Sequence, residues 1–236
     1  MKRVLILAIG AQLPPWDKMF QTSLETWDSI SVDGVDTLFY FGNPVKENTD
    51  NAIYFPVEEH YNTMGVKMLS AFDWVLKNKE FDYIARINSS CYVDKKELIK
   101  HIQTLPDKNV FSGGAVQKNE LDDYLWGGLQ WIISKDVIQK FFDNKDKYNH
   151  SLMEDVALSY LAKDIGIPFH KGIGCAIDKI ENGWRLISYG GGESFEFKDF
   201  SEIKNKYPHH FYRCKQDLDR NVDEYVMNEL NKILSK

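Results

Sequence analysis

Residues 60–102 read HYNTMGVKMLSAFDWVLKNKEFDYIARINSSCYVDKKELIKHI. In this stretch Met68, Leu69, Phe72 and Val75 recur at the three- and four-residue spacing of one helix face, which predicts an amphipathic helix over 66–76. The run 81–87 is short and mostly apolar, and reads as a buried strand. Polar Asn88-Ser89-Ser90 interrupts it, and a second helix is predicted over 95–105. A helix, a buried strand and a helix in this order form the repeating unit of an α/β fold.

The same alternation extends towards the N-terminus. Residues 4–9 (VLILAI) read as a buried strand ending at Gly10, residues 16–27 as a helix, and 37–41 and 52–57 as strands, the first closed by Gly42-Asn43-Pro44. Strands separated by helices predict a mostly parallel sheet with crossover connections. Such sheets bind ligands at the carboxyl ends of their strands, so the loops after Ile9, Phe41 and Ile87 are the first candidates for a site. Further on, 110–115 and 128–133 read as strands and 134–142 and 154–165 as helices, with Ser134 and Ser151 as N-caps. Gly166 and Pro168 stop the second of these helices, Gly190-Gly191-Gly192 is a turn, and a last helix is predicted over 217–234. With no internal repeat, low-complexity tract or linker, the expectation is one α/β domain over 1–236.

Composition narrows the function classes. The chain has 236 residues and a net charge of −6, with its lysines and arginines dispersed, so neither a nucleic-acid surface nor a polybasic membrane patch is expected. Three widely spaced cysteines, Cys91, Cys175 and Cys214, make neither a disulfide framework nor a zinc site. The N-terminal apolar run is too short for a signal peptide, and no segment approaches the roughly 20 apolar residues that span a bilayer. A reducing, cytoplasmic location, in a bacterium or the host of a virus, is the expectation. The first loop, 10–14, carries neither GxGxxG nor a P-loop, so dinucleotide binding and NTP hydrolysis are not indicated.

In order along the chain, Tyr61, Asn62, Lys67, Trp74, Tyr83, Tyr92, Val93 and Leu98 are followed by the run 127–136 (GGLQWIISKD) and by Glu154-Asp155-Val156 with Leu161 and Gly166-Ile167. This series resembles the inverting β-1,3-glycosyltransferases, the family of the Fringe-like and galactosyltransferase-like enzymes, and it covers most of residues 60–170. The resemblance implies a GT-A fold, a mostly parallel central sheet flanked by helices. It implies transfer of a hexosyl or pentosyl group from a nucleotide sugar, with a UDP-sugar the expected donor, to a glycan or other hydroxyl acceptor. Inversion at the anomeric carbon is part of that implication. By the same resemblance Asp155 matches the family's catalytic base, with Glu154 as the fallback, and Gly10 opens the loop that would hold the donor's base and ribose.

One departure bears on the cofactor. Where the family carries Asp-x-Asp to bind a divalent metal, this chain has Asn88-Ser89-Ser90. Mg²⁺ and Mn²⁺ favour carboxylate oxygen, so neutral Asn and Ser make a poor site and metal-independent donor binding is open. Lys67, Arg86, Arg213 and Lys215 would then neutralise the diphosphate beside Asn88, Ser89 and Ser90, arginine through bidentate contacts. The alternative is a polar turn that caps the helix at Lys95. The only Asp-x-Asp, Asp217-Leu218-Asp219, reads as the acidic start of the last helix.

Other readings stand in pairs. Glu154-Asp155 is equally an acidic helix N-terminus. Gly127 and Gly128 admit close approach of an acceptor or form a tight bend. Trp126 stacks on an acceptor sugar or fills the core, and Trp131 belongs to the core. The segment 209–215 (HHFYRCK) covers the donor phosphates or is a solvated stretch. Two rivals complete the set. One is a catalytically degenerate GT-A-like domain that binds sugar or a partner. The other is a nucleotidyltransferase, which the first loop does not favour because it lacks a Gly-rich, Arg-containing segment.

Overall fold

The computed structural model describes residues 1–114, 116–118, 123–190, 193–217 and 219–235. From the N-terminus, β1 (Val4–Ile9) is followed by α1 (Trp16–Glu25), β2 (Val35–Phe41) and β3 (Ala52–Tyr54), then α2 (Met64–Asn78), β4 (Tyr83–Ile87), β5 (Cys91–Val93) and α3 (Lys95–Thr104). The second half contains β6 (Phe111–Gly113), β7 (Val116–Lys118), β8 (Asp123–Leu125), β9 (Trp131–Ser134), α4 (Lys135–Asp143) and α5 (Glu154–Asp164). It closes with β10 (His170–Lys171), β11 (Gly174–Ile180), β12 (Gly183–Tyr189), β13 (Phe195–Phe197), α6 (Ser201–Lys206), β14 (Phe211–Arg213) and α7 (Asn221–Leu234).

The central sheet has the order β10-β6-β9-β4-β1-β2-β3 and is parallel except at β9, which runs against both β4 and β6. Alternate residues of β1 enter different cores. Val4, Ile6 and Ala8 join one cluster, and Leu5, Leu7 and Ile9 the other, so the strand is apolar throughout because both of its faces are covered. The expected face of α2 supplies Met68, Leu69, Phe72 and Val75 to the second cluster, beside Val137, Ile138 and Phe141 of α4. On the opposite side, Leu98 and Ile102 of α3 pack with Val226, Met227 and Leu230 of α7. A second sheet, β13-β12-β11-β14-β5, lies with that cluster through Phe211, Tyr212, Cys175 and Ile177.

Several expected boundaries move. The sequence reading carries the second strand from 128, but Gly127 and Gly128 form a turn and β9 begins at Trp131. Ser134 does precede α4, yet its hydroxyl donates to Asp136 Oδ1 (2.6 Å) and accepts from Val110 N–H (3.0 Å) rather than capping the helix. Ser151 is no cap either. It hydrogen-bonds Asn149, and α5 starts three residues later. The helix at Lys95 is capped by Asp94, whose Oδ1 accepts from Lys96 N–H (3.0 Å) and Glu97 N–H (3.1 Å), so Asn88-Ser89-Ser90 has no capping duty. The stop at Gly166 is as expected. Gly166 takes φ of 72°, and Gly166 N–H and Ile167 N–H close on the carbonyls of Lys163 and Ala162, at 3.1 Å and 2.7 Å. The last helix begins at Asn221, after Asp217 and Asp219, because Asp219 Oδ1 accepts Asn221 N–H (3.0 Å) from outside the first turn. Ala115, Gly191, Gly192 and Leu218, parts of the expected strand, turn and Asp-x-Asp, lie outside the described residues.

Candidate functional site

Chain order in the central sheet reverses at β1, with β2 on one side and β4 on the other. Diverging crossovers leave a crevice at the carboxyl ends of such a strand pair. The structure has a cleft of about 470 Å³ there, lined by Ile9 and Gly10 from the end of β1 and by Asn88, Ser89 and Ser90 after β4. The loop after Phe41, the third expected location, is sealed instead. Gly42 N–H donates to Glu59 Oε1 (2.6 Å) and Asn43 N–H to Val57 O (2.7 Å).

Every site residue named from the sequence borders this cleft except Arg86, which lies behind the lining and pairs with Glu154. Their states differ. Arg86, 1% exposed, meets both carboxylate oxygens of Glu154 through Nη2, each at 2.7 Å. Its Nη1 donates to Asn88 Oδ1 (2.8 Å) and Gly127 O (3.1 Å), and its guanidinium lies 4.9 Å from the Trp131 ring centroid. Burial pushes the Glu154 carboxyl up from its ordinary range, against the pull of Arg86. Lys67, 3% exposed, is tied to Glu59 Oε2 (2.6 Å) and to Gly10 O (2.8 Å), and burial lowers its pKa. Arg86 and Lys67, expected to neutralise a diphosphate, are thus each paired with a carboxylate of the wall. Both cations already face a buried carboxylate, and a cation without such a partner could not be held so deep. Glu154, the fallback base, spends both carboxylate oxygens on Arg86.

Asp155 is differently placed. It opens α5 beside Glu154 but points into the cleft, where Oδ2 accepts Gly127 N–H (3.1 Å) and Oδ1 accepts its own neighbour Val156 N–H (2.9 Å). Each oxygen keeps a further lone pair for a ligand proton. The turn after Trp126 makes this possible. Gly127 gives its N–H to Asp155 and its carbonyl to Arg86 and to Asn88 Nδ2 (3.0 Å), so the bend is a hydrogen-bonding hub. A side chain at Gly128 would collide with Arg213 Nη1 and the Trp126 indole.

The opposite wall comes from β14 and the turn before α7. Arg213 pairs with Cys91 across β14 and β5, and Cys214 N–H donates to Ser90 O (2.9 Å), which fastens this strand to the loop after β4. Arg213 Nη1 donates to Gly128 O (2.6 Å), and its guanidinium sits 4.8 Å from the Trp126 ring centroid. Trp126, expected to be free for an acceptor, is thus covered on one face and meets Tyr189 edge-on at 5.3 Å. Lys215 pairs with Asp217 (2.6 Å). The histidines of 209–215 are not cations of this wall. Burial pushes His209 down to about 4 and His210 well below its usual value, and their rings stack at 4.2 Å, with His101 beyond His210 at 4.6 Å.

Sequence reasoning missed Arg220. It lines the cleft, donates through Nε to buried Asp223 (2.8 Å), and reaches the Ser90 hydroxyl through Nη2. It also did not place Trp16 or Tyr61 at the site; with Leu13 of the first loop they are 39%, 65% and 49% exposed on the cleft's rim. Exposed large apolar side chains around one opening were the signal available, but only once the chain is folded.

The residues do not fit the metal that the resemblance implies. Asn88 turns its carbonyl oxygen to Arg86, so a divalent ion there would sit against a guanidinium. Among the described residues no three His, Cys, Asp or Glu side chains are grouped to hold a metal ion. No helix among them is long and apolar enough to cross a membrane.

No family model matches the chain, and no curated protein matches it. Solved structures do. A glycosyltransferase involved in the glycosylation of the major capsid of PBCV-1 aligns over 96% of this chain and 98% of its own, with a TM-score of 0.54 at 12% identity. The glycosyltransferase GlyE of Streptococcus pneumoniae TIGR4 aligns over 73% of this chain and 45% of its own at 10% identity; its TM-score of 0.44 adds nothing to the fold assignment. The full-length alignment and the switch-point cleft agree with the sheet derived from the sequence: the chain has an α/β fold with a central, mostly parallel sheet flanked by helices, the fold of that glycosyltransferase structure.

Proposed function

We propose that the chain, working as one domain, transfers a sugar from a nucleotide-sugar donor, a UDP-sugar in the first instance, to a hydroxyl of a glycan acceptor, with inversion. The observation that carries this reading is the division of labour between adjacent carboxylates. Glu154 is locked to Arg86, whereas Asp155 is held by two backbone N–H groups and faces the cleft. A fixed carboxylate with spare lone pairs suits a general base. The acceptor oxygen attacks the anomeric carbon, its proton passes to Asp155, and the bond from that carbon to the donor phosphate breaks on the opposite face. The nucleoside diphosphate leaves with the electron pair. The base and ribose occupy the end of the cleft formed by Gly10, Leu13 and Trp16.

The family implied by the motifs, the inverting β-1,3-glycosyltransferases, and action in the cytoplasm belong to this proposal. The test is Asp155→Asn, followed by nucleotide release from a donor panel with mixed glycan acceptors. A loss of about 10²- to 10⁴-fold in turnover with little change in melting temperature is expected. Turnover at the parent rate would remove Asp155 as the base. The loop at Asn88, with its carbonyl turned to a guanidinium, also supports a second reading, a degenerate domain that binds sugar or a partner. Donor binding with neither hydrolysis nor transfer, for any acceptor, would favour it.

A further inference from the structure

Four cationic and three anionic side chains line the cleft, and Arg86 adds a fifth cation behind it through its pair with Glu154. Two of the cations, Lys67 and Arg86, are neutralised by Glu59 and Glu154 within the wall. The other three gather on the β14–α7 side, and all retain donors. Among the described residues Arg213 has no carboxylate partner, and only its Nη1 is engaged, by Gly128 O. Arg220 uses Nε and Nη2, and its Nη1 has no hydrogen-bond partner among the described residues. Among the described residues Lys215 pairs with Asp217 alone, whose side chain is 82% exposed.

These cations are stitched to the loop that replaces Asp-x-Asp. Cys214 N–H binds Ser90 O, Arg220 binds the Ser90 hydroxyl, and Arg213 is registered opposite Cys91. Where carboxylates would face a metal, the segment instead turns the Ser90 hydroxyl to Arg220, with Ser89 beside it in the cleft lining. A metal bridging a diphosphate supplies positive charge and orientation, and guanidinium groups supply both by charge-assisted, directional hydrogen bonds.

We propose that Arg213, Lys215 and Arg220, with the Ser89 and Ser90 hydroxyls, form a subsite that takes the diphosphate of the donor directly, with no divalent cation between protein and phosphate. This rests on the nucleotide-sugar reading above and assigns Arg220 a role there. When the bond to the sugar breaks, the same groups hold the charge that develops on the departing diphosphate.

The experiment is calorimetric titration of the full chain with UDP and, separately, with inorganic pyrophosphate, each in excess EDTA and in excess Mn²⁺. Both are expected to bind in EDTA, with Mn²⁺ changing Kd by less than about threefold. Arg213→Ala and Lys215→Ala should each weaken binding by about tenfold, the scale of one charge-assisted hydrogen bond. Arg220→Lys keeps a cation against buried Asp223 and so keeps the fold, and should weaken binding severalfold. Binding that requires Mn²⁺, or that is unchanged in all three variants, overturns the subsite and leaves the donor reading standing. Pyrophosphate bound in EDTA with no binding of UDP or other nucleoside diphosphates supports the subsite and overturns the donor reading.

Discussion

The two walls of the cleft carry the same kinds of side chain in opposite states. On the β4–α5 wall, Arg86 and Glu154 are 1% and 7% exposed and meet through two 2.7 Å contacts. On the β14–α7 wall, Lys215 and Asp217 are 35% and 82% exposed across 2.6 Å. A buried ion pair is held because neither partner can be left alone in low dielectric, whereas an exposed pair exchanges readily with water and ligands. One wall is therefore framework and the other can exchange its contacts, though their compositions look alike.

The sharpest way to break this comparison is Glu154→Ala. It strands a guanidinium that is 1% exposed and has Trp131 over it, and the expected loss is about 3–5 kcal/mol in urea unfolding. Arg86→Met combined with Glu154→Leu, of similar volume, should recover most of that loss, because the penalty belongs to the unpaired charge. A single variant of near-parental stability would mean that Arg86 finds water or another partner, and the two walls would not differ in kind.

Gly128→Ala acts where the walls meet. The added methyl would enter the space of Arg213 Nη1 and the Trp126 indole, and Arg213 would have to give up its 2.6 Å bond to Gly128 O. Overpacking of this size costs about 1–3 kcal/mol. Diphosphate affinity should fall with it, since Arg213 is displaced. Unchanged stability with weakened binding would show that Arg213 moves freely, as a ligand-side cation can. Unchanged binding with lowered stability would make it part of the framework.

The sequence revealed the framework's outline better than its state. The apolar runs of β1 and β4 and the 3.6-residue face of α2 were legible because burial on two faces or on one stripe leaves a local pattern. The loops after Ile9 and Ile87 followed from the sheet. Strand β9 was found as a strand, but a fully buried run has no feature that shows its antiparallel direction. Short β14 was read as a stretch of cations because only its pairing with β5 and β11 makes it a strand. All named site residues but Arg86 border the cleft, yet which cations are available depends on partners far along the chain, as with Arg86 and Glu154, 68 residues apart. Arg220 was hidden because an arginine just before a helix is ordinary; its contact with Ser90 spans 130 residues.

The smallest expected effect is also the most discriminating. Asp217 is held ionised by its hydrogen bond to Lys215, which keeps its carboxyl below the ordinary range, so at neutral pH it competes with any anion for that ammonium. Asp217→Asn removes the competitor from an exposed pair. Thermal stability should stay within about 0.5 kcal/mol of the parent, as for most surface ion pairs. Pyrophosphate affinity in EDTA should rise by about two- to fivefold, and the gain should shrink as salt screens the wall. If affinity falls instead, Asp217 orients Lys215 rather than competing for it. The β14–α7 wall would then be as fixed before ligand arrives as the β4–α5 wall, and availability of charge, rather than mobility, would be what separates them.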